Sequence, residues 1–429
     1  MKKQIIFISS LLLVITLISG ITSCKKNSDT AAFNVTSITA GDIDLNGSVS
    51  PTNVPPNPTI IAIFNAAVTP ASVNNAITLI RLYDNVSIPL TITVTGSIVT
   101  IVPTSGLGTG SLYSLNFSSA VSSTDGQALP VVKRSFTTSG PFVPDGMVAY
   151  YTFENTAADA LNHYNPIPGG VIDMTYATSF TPAAGMAGKF NGTSTLIEIG
   201  KGDSLMLTSD FTIYFWVKAD TTKHGQFVMG LAGWYGFQFE MGDNYSWCKL
   251  AAQYSLSTTT SASQDLFFNG TETTASWKGY TFCKDLTASG GVQYFLAGKW
   301  ANVACIFNSS TKVATMYINS QMMKQQDYNL YDPPITTANG LRYNGYPGNK
   351  QFVFGFIQDK NDPTIADDWA KYDNPANKHF KGLLDNVRIF HKALSEQEIQ
   401  MMYNSENLNE NILARNLMFV INSFYSAIL

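Results

Sequence analysis

Charged side chains are scarce: Asp, Glu, Lys and Arg make up 13% of the 429 residues, against about 25% in ordinary soluble domains. No basic run is long enough to follow a phosphate backbone, which excludes nucleic acid as a partner. Histidine is rarer still. His163, His224, His379 and His391 are the only four, and none has a motif around it. Nothing therefore supplies the base that a nucleophilic cysteine requires. No apolar run reaches the ~20 residues of a membrane-spanning helix. Cysteine is short as well, with four residues. Besides Cys24 there are Cys248, Cys283 and Cys305, and an odd count argues against a disulfide framework. Cys305 shares a strand face with Val303 and Phe307 and reads as a buried thiol. Cys248 and Cys283 are the pair open to bridging in an oxidising compartment.

Aromatic residues, at 12%, are plentiful, and so are Ser, Thr, Asn and Gly, a balance suited to an extracellular β-protein. At the start, Met1-Lys2-Lys3, an apolar run over residues 5–18 and small residues at 19–23 make a secretory signal peptide over residues 1–23. The segment Ile21-Thr22-Ser23-Cys24 resembles a bacterial lipobox of the looser kind. The resemblance implies cleavage before Cys24 and acylation of its thiol and new amino group. Several chains at about 0.8 kcal/mol per buried methylene give a stable anchor. Loss of Lys2 and Lys3 takes the net charge from −4 to −6. Residues 24–32 have no apolar periodicity and read as a tether. Lys25-Lys26 differs from the acidic cluster that resembles a surface-export signal, which leaves the membrane face undecided.

From 33 to 140 the pattern is that of short strands, expected at 59–64, 90–95, 98–102, 113–117 and 134–138, with a Gly96-Ser97 turn. This stretch resembles the bacterial Ig-like domains of S-layer and surface proteins. The residues that carry the likeness are Pro51-Thr52-Asn53-Val54-Pro55, Ile63-Phe64-Asn65, Val68 to Val73, Asp125-Gly126-Gln127-Ala128-Leu129 and Phe136-Thr137-Thr138. The resemblance implies a β-sandwich that serves as a spacer. Residues 141–144 read as a proline-bounded linker.

The second domain is expected over 145–406. Residues 211–217 alternate, with Phe211, Ile213, Phe215 and Val217 toward a core and Tyr214 and Trp216 on the other face, which is open to lining a groove. Strand signals recur at 313–319 and 352–356. Residues 382–390 form a last strand, and Ser395 with Glu398 makes a capping box for a helix, stapled by Leu394 and Ile399. The ordered set Gly146 to Asn155, Gly188-Lys189-Phe190-Asn191-Gly192, Phe211 to Val217, Trp300-Ala301-Asn302-Val303 and Leu384 to Ile389 with Ala393-Leu394-Ser395 resembles laminin-G-like jelly-roll domains of the concanavalin A type. The likeness implies an all-β chain with two antiparallel sheets of six or seven strands in this domain. It covers a superfamily of lectins and glycanases. With the looser lipobox it suggests an outer-membrane lipoprotein of a Bacteroidetes-type organism. Residues 407–429 match nothing.

Three chemistries compete. Glycanases of this kind resemble the laminarinase type, with a Glu-x-Asp-x-x-Glu or Glu-x-Asp-x-Glu strand, because hydrolysis needs two carboxyls about 5–10 Å apart. Neither Glu198, Glu240 nor Glu272 has that spacing, so no catalytic residue is assigned. The resemblance also implies a structural calcium joining the first and last strands, with Glu154, Asp159 and Asp385 as ligands. The loop around Asp159 departs from the family by lacking a Ser-Gly-Asn turn. Carbohydrate binding needs aromatic faces beside amides and carboxylates. Three loops offer these: Trp234 and Tyr235 with Tyr245 and Trp247; Trp277 with Tyr280; and residues 343–372 with Tyr346 and Trp369. The leading expectation is a non-catalytic envelope lipoprotein that binds a glycan. A glycoside hydrolase and a protein adhesion or scaffold module are the alternatives.

Overall fold

The computed structural model describes residues 31–222, 225–271, 277–331, 334–345, 350–362 and 366–407. Cys24, Tyr346, Glu272 and the tail from residue 408 lie outside them. The chain divides into two compact units, Met1–Leu107 with Leu112–Thr137, and Gly108–Ser111 with Thr138–Leu429. Among the described residues no helix is long and apolar enough to cross a membrane.

The first unit is a two-sheet sandwich. One sheet runs Ile43–Asp44, Val35–Ala40, Ile60–Phe64, Ile98–Pro103, Leu90–Thr95; the other runs Val86–Ile88, Ile77–Arg81, Leu112–Phe117, Val132–Thr137. Ile60–Phe64 alternates strictly, with Ile60, Ala62 and Phe64 buried and Ile61 and Ile63 outside. The core joins these to Val99, Leu79, Tyr113, Leu115 and Phe136. The expected hairpin pairs Thr95 with Ile98 and Leu90 with Pro103, and Gly96 turns it at φ 61°. Strands Val35–Ala40 and Ile77–Arg81 join those read from the sequence.

The second unit is also a sandwich. A seven-stranded sheet runs Pro166–Ile172, Leu196–Ile199, Phe352–Phe354, Gln226–Gly230, Phe237–Met241, Cys248–Ser255, Ser261–Phe268. The opposing sheet has nine strands, in the order Thr175–Thr178, Met186–Asn191, Lys381–Phe390, Phe211–Ala219, Trp300–Asn308, Val313–Ile318, Gln321–Tyr331, Lys278–Cys283, with Met147–Tyr151 as the ninth. One of the strands beyond the expected six or seven arises because the long Lys381–Phe390 strand carries two neighbours on one edge. Met186–Asn191 pairs near its start and Met147–Tyr151 near its end.

Phe211, Ile213, Phe215 and Val217 enter the core between the sheets. Tyr214 and Trp216 do take the other face, but that face is no groove. Helix Glu396–Glu406 lies over it. The Tyr214 hydroxyl and Trp216 Nε1 each donate to Glu406 Oε2 at 2.7 Å. The Arg388 guanidinium forms an ion pair with the same carboxylate, with side-chain exposures of 1% and 4%. The Trp216 ring is stacked between Phe180 and Tyr403, with centroids 4.0 and 5.6 Å away. The linker region is tied to the same helix: the Phe142 N–H donates to Ser405 Oγ at 3.0 Å, and Phe142 is buried.

The helix starts where the sequence places it. Ser395 Oγ accepts from the Glu398 amide at 3.2 Å, and the Ser395 amide donates to Glu398 Oε2 at 2.9 Å. Leu394 and Ile399 are both buried. Ser395→Ala leaves an amide of the first turn without its acceptor and is expected to cost about 1 kcal/mol. A shift of the urea midpoint at unchanged slope would register it; an unmoved midpoint would show that the cap contributes nothing.

No disulfide joins Cys248 and Cys283. Cys248 is buried at the start of Cys248–Ser255, with its sulfur 3.6 Å from Met316 Sδ, whereas Cys283 ends an edge strand of the opposing sheet. Cys305 is in the core as expected, and burial pushes its thiol pKa well up.

Candidate functional site: the outer face of the seven-stranded sheet

Side chains alternate along a strand, so the residues between the core-directed Phe237, Phe239, Leu250 and Ala252 must face outward. Glu240 pairs with Lys249, and Lys249 with Phe267; Gln238 pairs with Ala251, and Ala251 with Asp265. Lys249 lies between two carboxylates, 2.9 Å from Glu240 Oε1 and 3.0 Å from Asp265 Oδ2. Both carboxylates favour the charged ammonium and, despite its burial, hold the Lys249 pKa above the usual range. Gln238 Nε2 donates to Glu240 Oε1 at 3.2 Å, and Gln238 Oε1 accepts from the Trp234 amide at 3.1 Å. Gln253 Nε2 donates to the Trp234 carbonyl at 2.5 Å. Two glutamines of the sheet thus fasten the loop that carries Trp234.

Residues 356–362 and 366–380 fold back onto the same face. Phe227, Val353, Phe356, Ile357 and Ala370 form a small separate core there, with Tyr235 and Tyr372 packed against it. The approach is so close that a Cβ on Gly230 would strike the Ile357 carbonyl. This return brings Trp369 to Trp234, with ring centroids 5.4 Å apart. Both rings stay open to solvent, Trp234 at 49% and Trp369 at 37% exposure. Within the returning segment, burial raises the Asp359 pKa to about 6, with Asp362 and Glu198 adding to the rise.

A cavity of about 660 Å³ opens beside Trp234, where Ser261–Phe268, the last strand of this sheet, lies next to Lys278–Cys283 and Gln321–Tyr331 of the other. Trp234, Lys249, Asp265, Lys278, Tyr280 and Gln326 are among its walls. Gly279, at φ +71°, bends the chain between Lys278 and Tyr280 where a Cβ would meet the Asp327 carbonyl. The bend leaves Trp277 against Tyr331 at 6.3 Å and the Lys278 ammonium 5.1 Å from the Trp277 ring.

The structure gathers most of the rings read from the sequence but not all. Trp234 and Tyr280 line one cavity. Trp369 leans on Trp234, and Trp277 lies next to Lys278. Trp247 is half-buried, 5.4 Å from Phe267, a cavity wall residue. Tyr245 belongs elsewhere: it is buried and its hydroxyl donates to the Asp220 carbonyl, so it serves the core rather than a ligand. Lys249, Asp265 and Gln326 went unread, although the alternation of Cys248–Ser255 and Ser261–Phe268 was available to place the first two on an outward face.

Each carboxylate expected to hold calcium is engaged by donors of the protein itself. Asp159 accepts four backbone N–H groups, from Tyr150, Leu161, His163 and Tyr164. Glu154 accepts from the Met186 amide. Asp385 is fully buried, takes the Ser179 hydroxyl and the Asn386 amide, and does not pair with Arg388. Among the described residues no group of three His, Cys, Asp or Glu side chains could hold a metal ion. Asp159, with four amides on its two oxygens, has no lone pair left to offer an ion.

Residues 29–138 match the model of the bacterial Ig-like domain, and residues 191–361 match that of the concanavalin A-like lectin/glucanases superfamily. The chain carries an Ig-like domain followed by a concanavalin A-like domain. The compact second unit extends beyond the matched segment of the concanavalin A-like domain on both sides. No curated protein matches the sequence. Among solved structures, the receptor binding domain of botulinum neurotoxin C/D mosaic serotype is similar at 14% identity and TM-score 0.39, over 61% of this chain and 51% of that one. Domain 4 of AbnA, a GH43 extracellular arabinanase from Geobacillus stearothermophilus, in complex with arabinotriose, is similar at 19% identity and TM-score 0.36, over 60% of this chain and 98% of that one. The binding domain of Paraclostridial Mosquitocidal Protein 1 is similar at 16% identity and TM-score 0.38, over 61% and 52%. The chain thus spans about half the length of the first and third of these chains.

Proposed function

We propose that the concanavalin A-like domain binds a glycan in the groove beside Trp234, and that the Ig-like domain is a spacer. The observation that carries this reading is the solvent-open Trp234 ring on the wall of a cavity that also presents amides and a carboxylate, with the solvent-open Trp369 ring 5.4 Å from it. Sugars present apolar C–H faces edged by hydroxyls. A ring with polar groups at its side matches both. The loop carrying Trp234 is fixed by Gln238 and Gln253 before any ligand arrives, so little ordering is left to oppose binding. In the same proposal the lipobox-like Cys24 anchors the protein to the outer membrane.

A glycanase reading would need a carboxyl kept protonated as general acid beside an ionised partner. Glu240 and Asp265 are the carboxylates nearest this description, and one lysine binds both. Both are held in ion pairs with Lys249 instead of standing as a free pair across a cleft, which disfavours the hydrolytic arrangement.

Trp234→Ala is expected to lower glycan affinity at least tenfold, the scale of a truncated aromatic anchor. Titration calorimetry against a polysaccharide panel, with circular dichroism as the check on folding, reads it. Undiminished affinity in a folded variant would move the site elsewhere. Release of reducing sugar that is lost in Glu240→Gln would replace binding with hydrolysis.

A further inference from the structure

Resting on that reading, we propose that the groove selects an acidic saccharide, with the anionic group of one sugar at Lys278 and a hydroxyl of the same sugar at Gln326. Two independent features of the cavity point there. The first is an acceptor without a donor. Gln326 is 1% exposed and lines the cavity, its Nε2 donates to the Lys278 carbonyl at 2.8 Å, and its Oε1 has no partner among the described residues. A buried acceptor left unpaired is costly, and the neighbouring cavity is the space from which a hydroxyl donor can reach it. The second is a cation without an anion. The Lys278 ammonium sits 5.1 Å from the Trp277 ring and 5.7 Å from the Tyr280 ring, and no carboxylate pairs with it among the described residues. The aromatic flanks hold it in place while leaving its protons for a ligand.

The other charges of the cavity give the ligand a direction. Lys249 is already taken by Glu240 and Asp265. That group keeps one negative charge in excess, and its more exposed member, Asp265, faces the cavity. Asp265 repels an anion and accepts hydroxyls. The acid end of a sugar therefore goes to Lys278 and its hydroxyl edge to Asp265, with Trp234 covering a C–H face. A neutral sugar satisfies Gln326 and Asp265 but leaves the ammonium unanswered.

The test is calorimetry on the purified chain with oligogalacturonate, oligoglucuronate and oligomannuronate, each beside its neutral methyl ester, at low and high salt. The expected result is tighter binding of at least one acid than of its ester, with a preference that fades as salt rises. Lys278→Gln is expected to reduce that preference roughly tenfold, the worth of one charge-assisted hydrogen bond, while Lys278→Arg keeps it. Equal affinity for acid and ester, or a preference that survives in Lys278→Gln, overturns the inference. If Trp234→Ala still abolishes that binding, the glycan reading stands without it. A folded chain that binds neither acid nor ester overturns the acidic assignment, and only the wider polysaccharide panel then decides the glycan reading.

Discussion

Glu406→Ala is expected to destabilise the concanavalin A-like domain by about 3–5 kcal/mol, the scale on which half of a buried ion pair is lost. Glu406 sits at the end of the last described helix, yet its carboxylate holds three groups directly. It pairs with Arg388 on the last strand and accepts from Tyr214 and Trp216 on the neighbouring strand. Arg388 in turn donates to the Tyr150 hydroxyl on the first strand at 3.0 Å, with its guanidinium 4.4 Å over that ring. Without Glu406 the guanidinium remains buried with no counter-charge, and the indole N–H and a phenol lose their acceptor. Burial and the Glu406 charge already push the Tyr214 hydroxyl well above the ordinary tyrosine pKa, so it cannot supply a replacement anion. Chemical denaturation followed by near-ultraviolet circular dichroism should show the loss in the transition of this domain. Arg388→Met combined with Glu406→Leu should recover most of it, because removing both charges removes the desolvation they carry. A single-variant loss below about 1 kcal/mol would mean that water reaches the pair.

The second large effect is a dependence on pH centred on Asp385. Burial, reinforced by the charges of Glu406 and Glu154, raises its pKa to about 8 against the ordinary 3.8, even though Ser179 and the Asn386 amide act the other way. An acid whose native pKa is raised contributes its full stability below the unfolded pKa, near 4. It loses that contribution as pH rises, by about 1.4 kcal/mol per unit, until the native pKa near 8 is reached. Asp385→Asn keeps the shape and cannot ionise. The difference between wild type and variant should therefore be small near pH 4.5 and should grow to favour the variant by several kcal/mol at pH 8.5. Paired melts across that range isolate the Asp385 contribution from the other titrating groups. A bound calcium would reverse the sign: the variant would be the less stable at pH 8, and chelator would lower the wild-type melt.

What was legible beforehand was local. The 90–103 hairpin needs only alternation and a Gly-Ser turn, and both strands form where the pattern puts them. The Ser395 cap needs four consecutive residues and forms with both of its hydrogen bonds. The facing of residues 211–217 follows from the two-residue period, and it too holds. What covers that outer face did not follow, because the decisive carboxylate lies 190 positions along the chain from Trp216. Tyr245 and Trp234 show the same boundary. Both are aromatic, both lie in glycine-bearing loops, and nothing adjacent distinguishes them. One hydroxyl reaches the Asp220 carbonyl and is buried, while the other ring is held outward by Gln238 and Gln253.

The chain's own order of residues therefore determined two all-β domains, the direction of each strand's side chains and the start of the last helix, since each rests on neighbours a few positions apart. The tertiary structure alone decided which outward face is sealed and which stays open. It also brought Trp369 to Trp234 and set Lys278 and Gln326 opposite Lys249 and Asp265. Those are meetings between segments distant in sequence, and a side-chain period carries no information about which distant segment will fold across it.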